Sequence, residues 1–444
     1  MITSIKNGYV IDPGSDLEGN YDVLIKDGCI LKVGSRQDID NMNIKADKVI
    51  DASGKYVMPG FVDLHVHLRE PGYEYKEDIR TGSRAAAAGG FTTVCAMPNT
   101  KPALDTPDII RYVLDQAAKH GLINVHPIGA ITMNQEGREL TDIPGLIQAG
   151  AVGISEDGKS VMDTALYAKA MEEAARLNVL VFAHCEDKAL VADGVMNAGE
   201  KAKELGLPGI RNAVEDIITA RDIILAKETG ARLHLCHCST KDSTKMLDFA
   251  KKRGQKVTGE TCPHYFTLSD MDIPGDNPDY KMNPPLRSPE DREAIIDALK
   301  NDVLDVIATD HAPHSVSEKS GSMRNAPFGI VGLETAAALT YTQLVRTDIL
   351  SIRQMVEKMS LNPSRILGID RGCIGEGKVA DITIMDPDEE YRIDRNKFFS
   401  KGMNTPFHGR RVYGRVVYTL VSGEVKYEYV PSGDSTQKKG RVWI

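Results

Sequence analysis

Between Phe61 and residue 345, short apolar runs alternate with longer segments of helical character. This alternation narrows the fold more than any other feature of the chain. The runs fall at 61–66, 92–97, 124–129, 151–155, 179–184, 232–237, 256–261 and 303–309. Helices are expected at 77–88, 107–120, 163–177, 212–229, 241–253, 291–300 and 331–345. Asp163-Thr164 and Asp242-Ser243 suit helix starts, and Gly121, Gly230 and Gly254 suit helix ends. Eight such strands with helices between them fit a (β/α)8 TIM barrel better than an open sheet. The flanking segments read differently, as strands broken by turns. Val23-Leu24-Ile25 and Ile30-Leu31-Lys32-Val33 form a hairpin candidate across Asp27-Gly28, and Arg411 to Tyr427 form another. The expected α/β architecture is a barrel over 57–365, inserted into a small composite β domain made of 1–56 and 366–430. Residues 431–444 are expected to be a mobile tail. A chain of 444 residues has room for one large domain and a smaller one.

Composition excludes several classes. Asp and Glu number 63 against 54 Lys and Arg, a net charge of −9, and no basic run suggests nucleic acid. No apolar stretch reaches the roughly 18 residues of a membrane span. Met1 to Lys6 lacks the long apolar core of a signal peptide. The seven cysteines are an odd set without a CxxC pair. They are read as reduced thiols in a cytoplasmic protein.

The chemistry gathers at the C-terminal ends of the proposed barrel strands, which all open on one mouth. The first strand ends in His65-Val66-His67, a spacing that puts both imidazoles on one face. The fourth runs into Glu156-Asp157-Gly158, the fifth ends at His184, the sixth at His237 and the eighth at Asp310-His311. Four histidines and two carboxylates make a shell for two divalent cations. In this assignment His65, His67 and Asp310 hold the first ion, and His184 and His237 hold the second. Asp157 bridges them together with a hydroxide, the nucleophile that such a pair about 3.5–4 Å apart generates at neutral pH. His126, His234 and His264 are read as structural, and His120 and His408 as surface residues.

Four stretches carry a resemblance: His65-Val66-His67-Leu68-Arg69-Glu70-Pro71-Gly72, Met97-Pro98-Asn99-Thr100, Asn283-Pro284-Pro285-Leu286-Arg287 and Ala308-Thr309-Asp310-His311-Ala312-Pro313-His314. Over nearly its whole length the chain resembles dihydroorotases of the longer bacterial type. These are similar to hydantoinases and allantoinases in the metal-dependent amidohydrolase superfamily. Hydantoinases and allantoinases bridge their metals with a carboxylated lysine. Here Asp157 stands near that place, with Lys159 two residues on, and Asp157 is the expected bridge.

The resemblance implies reversible closure of N-carbamoyl-L-aspartate to L-dihydroorotate in pyrimidine biosynthesis; a His/Asp shell accepts zinc, manganese or cobalt, and zinc is the expected metal for both ions. A free carboxylate must be held. Arg69 suits it through paired charge-assisted bonds, with Asn99 adding a donor. Asn283 and His314 are expected at the ring amides or the carboxylate, and the backbone near Phe328 and Gly329 at the pyrimidine edge. Asp310 is expected to shuttle the proton between hydroxide and ring nitrogen. The 311–330 segment is expected to close over ligand. The family also implies a homodimer and, in some organisms, an aspartate transcarbamoylase partner. The rival readings are an allantoinase or dihydropyrimidinase, and an inactive scaffold for another pyrimidine-pathway enzyme.

Overall fold

The structure is a computed structural model that describes residues 1–430 and 440–443. Eight parallel strands form a ring: Phe61–Val66, Phe91–Ala96, Asn124–Pro127 continuing as Gly129–Ala130, Gly153–Ser155, Leu180–Ala183, Arg232–Leu235, Val257–Thr261 and Val306–Ile307. Each pairs with the next in parallel register. The ring closes where Val66 bridges His311 and the His67 amide donates to the His311 carbonyl at 2.8 Å. Both faces of these strands are covered, so Phe61–Val66 and Phe91–Ala96 are buried at every position. That is why apolar residues fall on both faces of each strand, with Asp63, His65, Thr92 and Thr93 the polar exceptions.

Helices pack outside the ring at Ile79–Ala88, Pro107–His120, Thr164–Leu177, Ala213–Thr229, Lys241–Lys252 and Pro289–Lys300. Asp163 and Thr240 cap two of them by accepting from the Leu166 and Ser243 amides. The seventh differs from its sequence reading. Ile330 pairs with His311, Leu333 to Thr335 form a turn, and the helix starts only at Ala336. From Tyr341 to Val345 it continues as a π-helix.

The two chain ends meet in one mixed sheet. Ile382–Arg392 pairs antiparallel with Tyr56–Pro59, joining the N-terminal strands to Arg411–Val421 and Glu424–Glu428. The Asp27-Gly28 turn has positive φ at both residues, 49° and 84°, and sets Lys26 opposite Cys29. That is the hairpin geometry an Asp-Gly pair favours. Ile5, Val10, Val23, Ile25, Ile382, Ile384 and Leu420 share one core, drawn from both ends of the chain. Of the proposed tail, 431–439 and Ile444 lie outside the described residues. Arg441–Val442 pairs antiparallel with Glu424–Glu428.

Candidate functional site

The six expected ligands converge at the ring's C-terminal mouth. Asp157 Oδ1 lies 3.3 Å from His65 Nε2, 3.3 Å from His184 Nδ1 and 3.6 Å from His237 Nε2. Its other oxygen is 3.5 Å from His67 Nε2. Asp310 Oδ1 sits 3.1 Å from His67 Nε2 and 3.7 Å from His65 Nε2. Donor atoms of His65, His67 and Asp310 lie within 4.8 Å of one another, as do those of His65, Asp157 and His237. His237 and Asp310 both have positive φ, 36° and 47°, so the strands end abruptly as they enter the site.

Proton accounting shows that this cluster suits cations. His65 Nδ1 is 3.0 Å from Glu260 and His67 Nδ1 is 2.8 Å from the Asn99 amide oxygen. Each Nδ1–H donates there, which leaves Nε2 lone pairs facing the Asp157 and Asp310 carboxylates. His184 Nδ1 and His237 Nε2 face each other at 2.9 Å. His65 Nε2 and Asp157 Oδ1 are buried and have no hydrogen-bond partner. Buried lone pairs directed at one another are unfavourable unless positive charge lies between them. The residues therefore fit divalent ions with nitrogen and oxygen ligands. Burial is the largest influence on Asp157 and Asp310 and disfavours their ionisation. When no cation is bound, a second proton on the surrounding imidazoles supplies the positive charge, outweighs burial and holds both carboxylates below their usual range.

A cavity of about 200 Å³ opens above the cluster. His67, Asp157, His184, His237 and Asp310 line it, with Arg69, Asn99, Asn283, His314, Phe328 and Gly329. His65 lies beneath them, fully buried. Arg69 Nε donates to the Pro313 carbonyl at 3.2 Å, which aims the guanidinium across the cavity. Burial and then the Arg69 and Lys76 cations keep His314 uncharged, its pKa lowered to about 2. Its Nε2–H donates to the Phe328 carbonyl at 2.8 Å, and its Nδ1 accepts from Lys76 Nζ at 3.3 Å.

Lys159 is turned elsewhere. Its Nζ donates to the Gln135 carbonyl at 2.9 Å, while Gln135 Nε2 donates to the Asp157 carbonyl at 2.7 Å.

Several supporting residues escaped the sequence reading. Glu260 accepts from His65 and, at 3.1 Å, from His234 Nε2. Burial would raise Glu260, but the two histidines bring it down to about 2. An acid inside the apolar 256–261 run was the available signal. Glu186 lies 3.5 Å from His184 Nε2 and accepts from the Asn283 amide. Asp63 accepts from the Thr309 hydroxyl at 2.6 Å and from the His65 amide at 3.1 Å, tying the first strand to the eighth.

Comparison with known proteins agrees with this geometry. A family profile described as Dihydro-orotase-like matches residues 54–243. The chain is 48% identical over 421 residues to the dihydroorotase of Acetivibrio thermocellus, covering 95% of this chain and 98% of that one. It is likewise 48% identical over 430 residues to the dihydroorotase of Ligilactobacillus salivarius, covering 96% and 99%. Among solved structures, the L-hydantoinase (dihydropyrimidinase) of Arthrobacter aurescens superposes with a TM-score of 0.87 at 28% identity, covering 100% of this chain and 97% of that one. Dihydropyrimidinase from Brevibacillus agri, at 23% identity and a TM-score of 0.81, shares the fold; it covers 100% and 97%. Near half-identity over almost the full length of both chains goes beyond a shared barrel: the protein belongs to the dihydroorotase family.

Proposed function

We propose that the protein interconverts N-carbamoyl-L-aspartate and L-dihydroorotate in pyrimidine biosynthesis, using two bound zinc ions. The observation that carries this reading is the small cavity that a buried arginine shares with His67, His184, His237, Asp157 and Asp310, with His65 directly beneath. In this reading His65, His67 and Asp310 hold one ion, His184 and His237 the other, and Asp157 spans both. Bound divalent cations supply an activated water and polarise the ring carbonyl.

The chain's own residues then do the following. Arg69 and Asn99 grip the substrate carboxylate, and Asn283 and His314 hold the remaining polar edge. The Phe328–Gly329 backbone reads the pyrimidine ring. In hydrolysis Asp310 accepts a proton from the attacking water and delivers it to the ring nitrogen. In ring closure it removes the ureido proton and returns it to the departing oxygen.

The hydantoinase structures favour a second reading, since they share the architecture. A free carboxylate separates the two substrate classes. The test is one assay series with carbamoyl-aspartate, dihydroorotate, hydantoin, dihydrouracil and allantoin, alongside metal analysis. The proposal expects turnover of the first two only, two equivalents of metal and loss of activity on chelation. Turnover of hydantoin without dihydroorotate would reject it, and a metal-free, inactive protein would point to the scaffold reading. Arg69→Ala is expected to raise KM for both carboxylated substrates by about 10²-fold, the loss of a buried charge-assisted contact. Metal content should not change.

Cytoplasmic placement, a homodimer and an aspartate transcarbamoylase partner complete the proposal, the last two on family resemblance alone. All seven cysteines are free thiols, and no helix among the described residues is long and apolar enough to cross a membrane. Light scattering of the purified protein decides the dimer.

A further inference from the structure

Lys319 lies in the segment after the eighth strand and is 9% exposed. Its Nζ donates to three main-chain carbonyls: Lys281 at 3.1 Å, Pro327 at 3.0 Å and Gly329 at 2.9 Å. Those bonds use all three ammonium protons. Among the described residues no carboxylate lies within ion-pair distance of it. Burial lowers its pKa to about 7, with Asp279 the main opposing influence. An uncharged side chain would fill this space at lower cost in desolvation.

Two of the three carbonyls, those of Pro327 and Gly329, flank Phe328, and Phe328 and Gly329 both line the metal-facing cavity. Other contacts converge on the same point. The Gly329 amide donates to the Lys281 carbonyl at 2.9 Å, and the Asn404 amide donates to the Gly329 carbonyl at 3.0 Å. Lys281 Nζ sits 4.3 Å from the centre of the Phe328 ring. Gly329 has φ +130°, and a Cβ there would lie 2.8 Å from the Ala312 carbonyl oxygen. The backbone at the rim is thus held in one conformation that only glycine suits.

We propose that Lys319 is a positioning residue: its ammonium clamps the Phe328–Gly329 backbone at the cavity rim, so that substrate recognition depends on it while the chemical step does not. The proposal rests on the dihydroorotase reading for the substrate. It differs from a loop that closes on ligand, because the rim is set beforehand and the exposed positions of 311–330 are Val316, Ser317, Ser320, Gly321, Arg324 and Asn325, all in its outer part.

Lys319→Met tests it in the metal-loaded enzyme. KM for dihydroorotate should rise about tenfold or more, with kcat within about threefold of wild type and metal content unchanged. Amide hydrogens of 326–332 should exchange at least about tenfold faster, while those of the first barrel strand stay as protected as before. Lys319→Gln keeps two N–H donors and should show the same split with a smaller rise in KM. If K319M does not fold, K319Q decides. An unchanged KM, a fall in kcat alone, or unchanged exchange at 326–332 would overturn the proposal. If the wild-type enzyme does not turn over dihydroorotate, the substrate reading fails, and the exchange measurement still decides the clamp.

Discussion

Asp310→Ala is expected to lower turnover by at least about 10³-fold in both directions while leaving much of the substrate affinity in place. General acid–base catalysis alone contributes about 10²–10⁴, and Asp310 is also an expected metal ligand. Its carboxylate is buried, lies 3.1 Å from His67 Nε2 and faces the cavity. Its pKa is held below the usual carboxylate range, so the ionised form, the one that can accept a proton, is present at neutral pH. Affinity should persist because Arg69, Asn99 and the Phe328–Gly329 backbone reach the cavity from other segments. Steady-state rates for ring closure and ring opening, with calorimetric titration of dihydroorotate, separate the two effects. Near-normal turnover would remove the proton-transfer role. A proportionate loss of binding would mean that the residue only shapes the site.

The second large effect is expected at the bridge. Asp157→Ala should strip the protein of at least one equivalent of metal and reduce activity by about 10³-fold or more, as both the bridging ligand and the anion between two cations disappear. Lys159→Ala should leave metal content and kcat close to wild type. The reason is local. The Asp157 carboxylate lies within 3.6 Å of a nitrogen on each of four histidines. The Lys159 amine is engaged with the Gln135 carbonyl on another side of the loop. Metal analysis after dialysis, run on both variants, decides between them. Metal loss in Lys159→Ala together with retention in Asp157→Ala would invert the assignment, and so would a mass signature of carboxylated Lys159.

Much of the fold was legible because parallel strands covered on both faces leave short, mainly apolar runs between helical segments, and the turns between elements carry their own chemistry. Asp27-Gly28 announced its hairpin, and Asp163 marked the start of its helix. The helix expected from 331 was misread at its start because the propensity of 331–335 is overridden by pairing of Ile330 with His311 and the turn at Leu333 to Thr335. The site's outline was legible for a related reason. Once strands are placed in a barrel, residues at their C-terminal ends are directed to one mouth, however far apart they are in the chain.

Residue types and their spacing along strands therefore determined, by themselves, the barrel, the composite sheet and the histidines and carboxylates at the strand ends, while Asn283, His314, Phe328 and Gly329 entered through the family resemblance. Tertiary structure alone decided which of those side chains meet. Glu260 beneath His65, Glu186 behind His184 and the lysine at 319 gripping carbonyls 38 and 10 residues away are products of the folded path. Strand periodicity reports which face a residue takes, but hydrogen bonds form over about 3 Å. Only the closed ring sets distances on that scale between segments some 200 residues apart, as with His65 and Glu260.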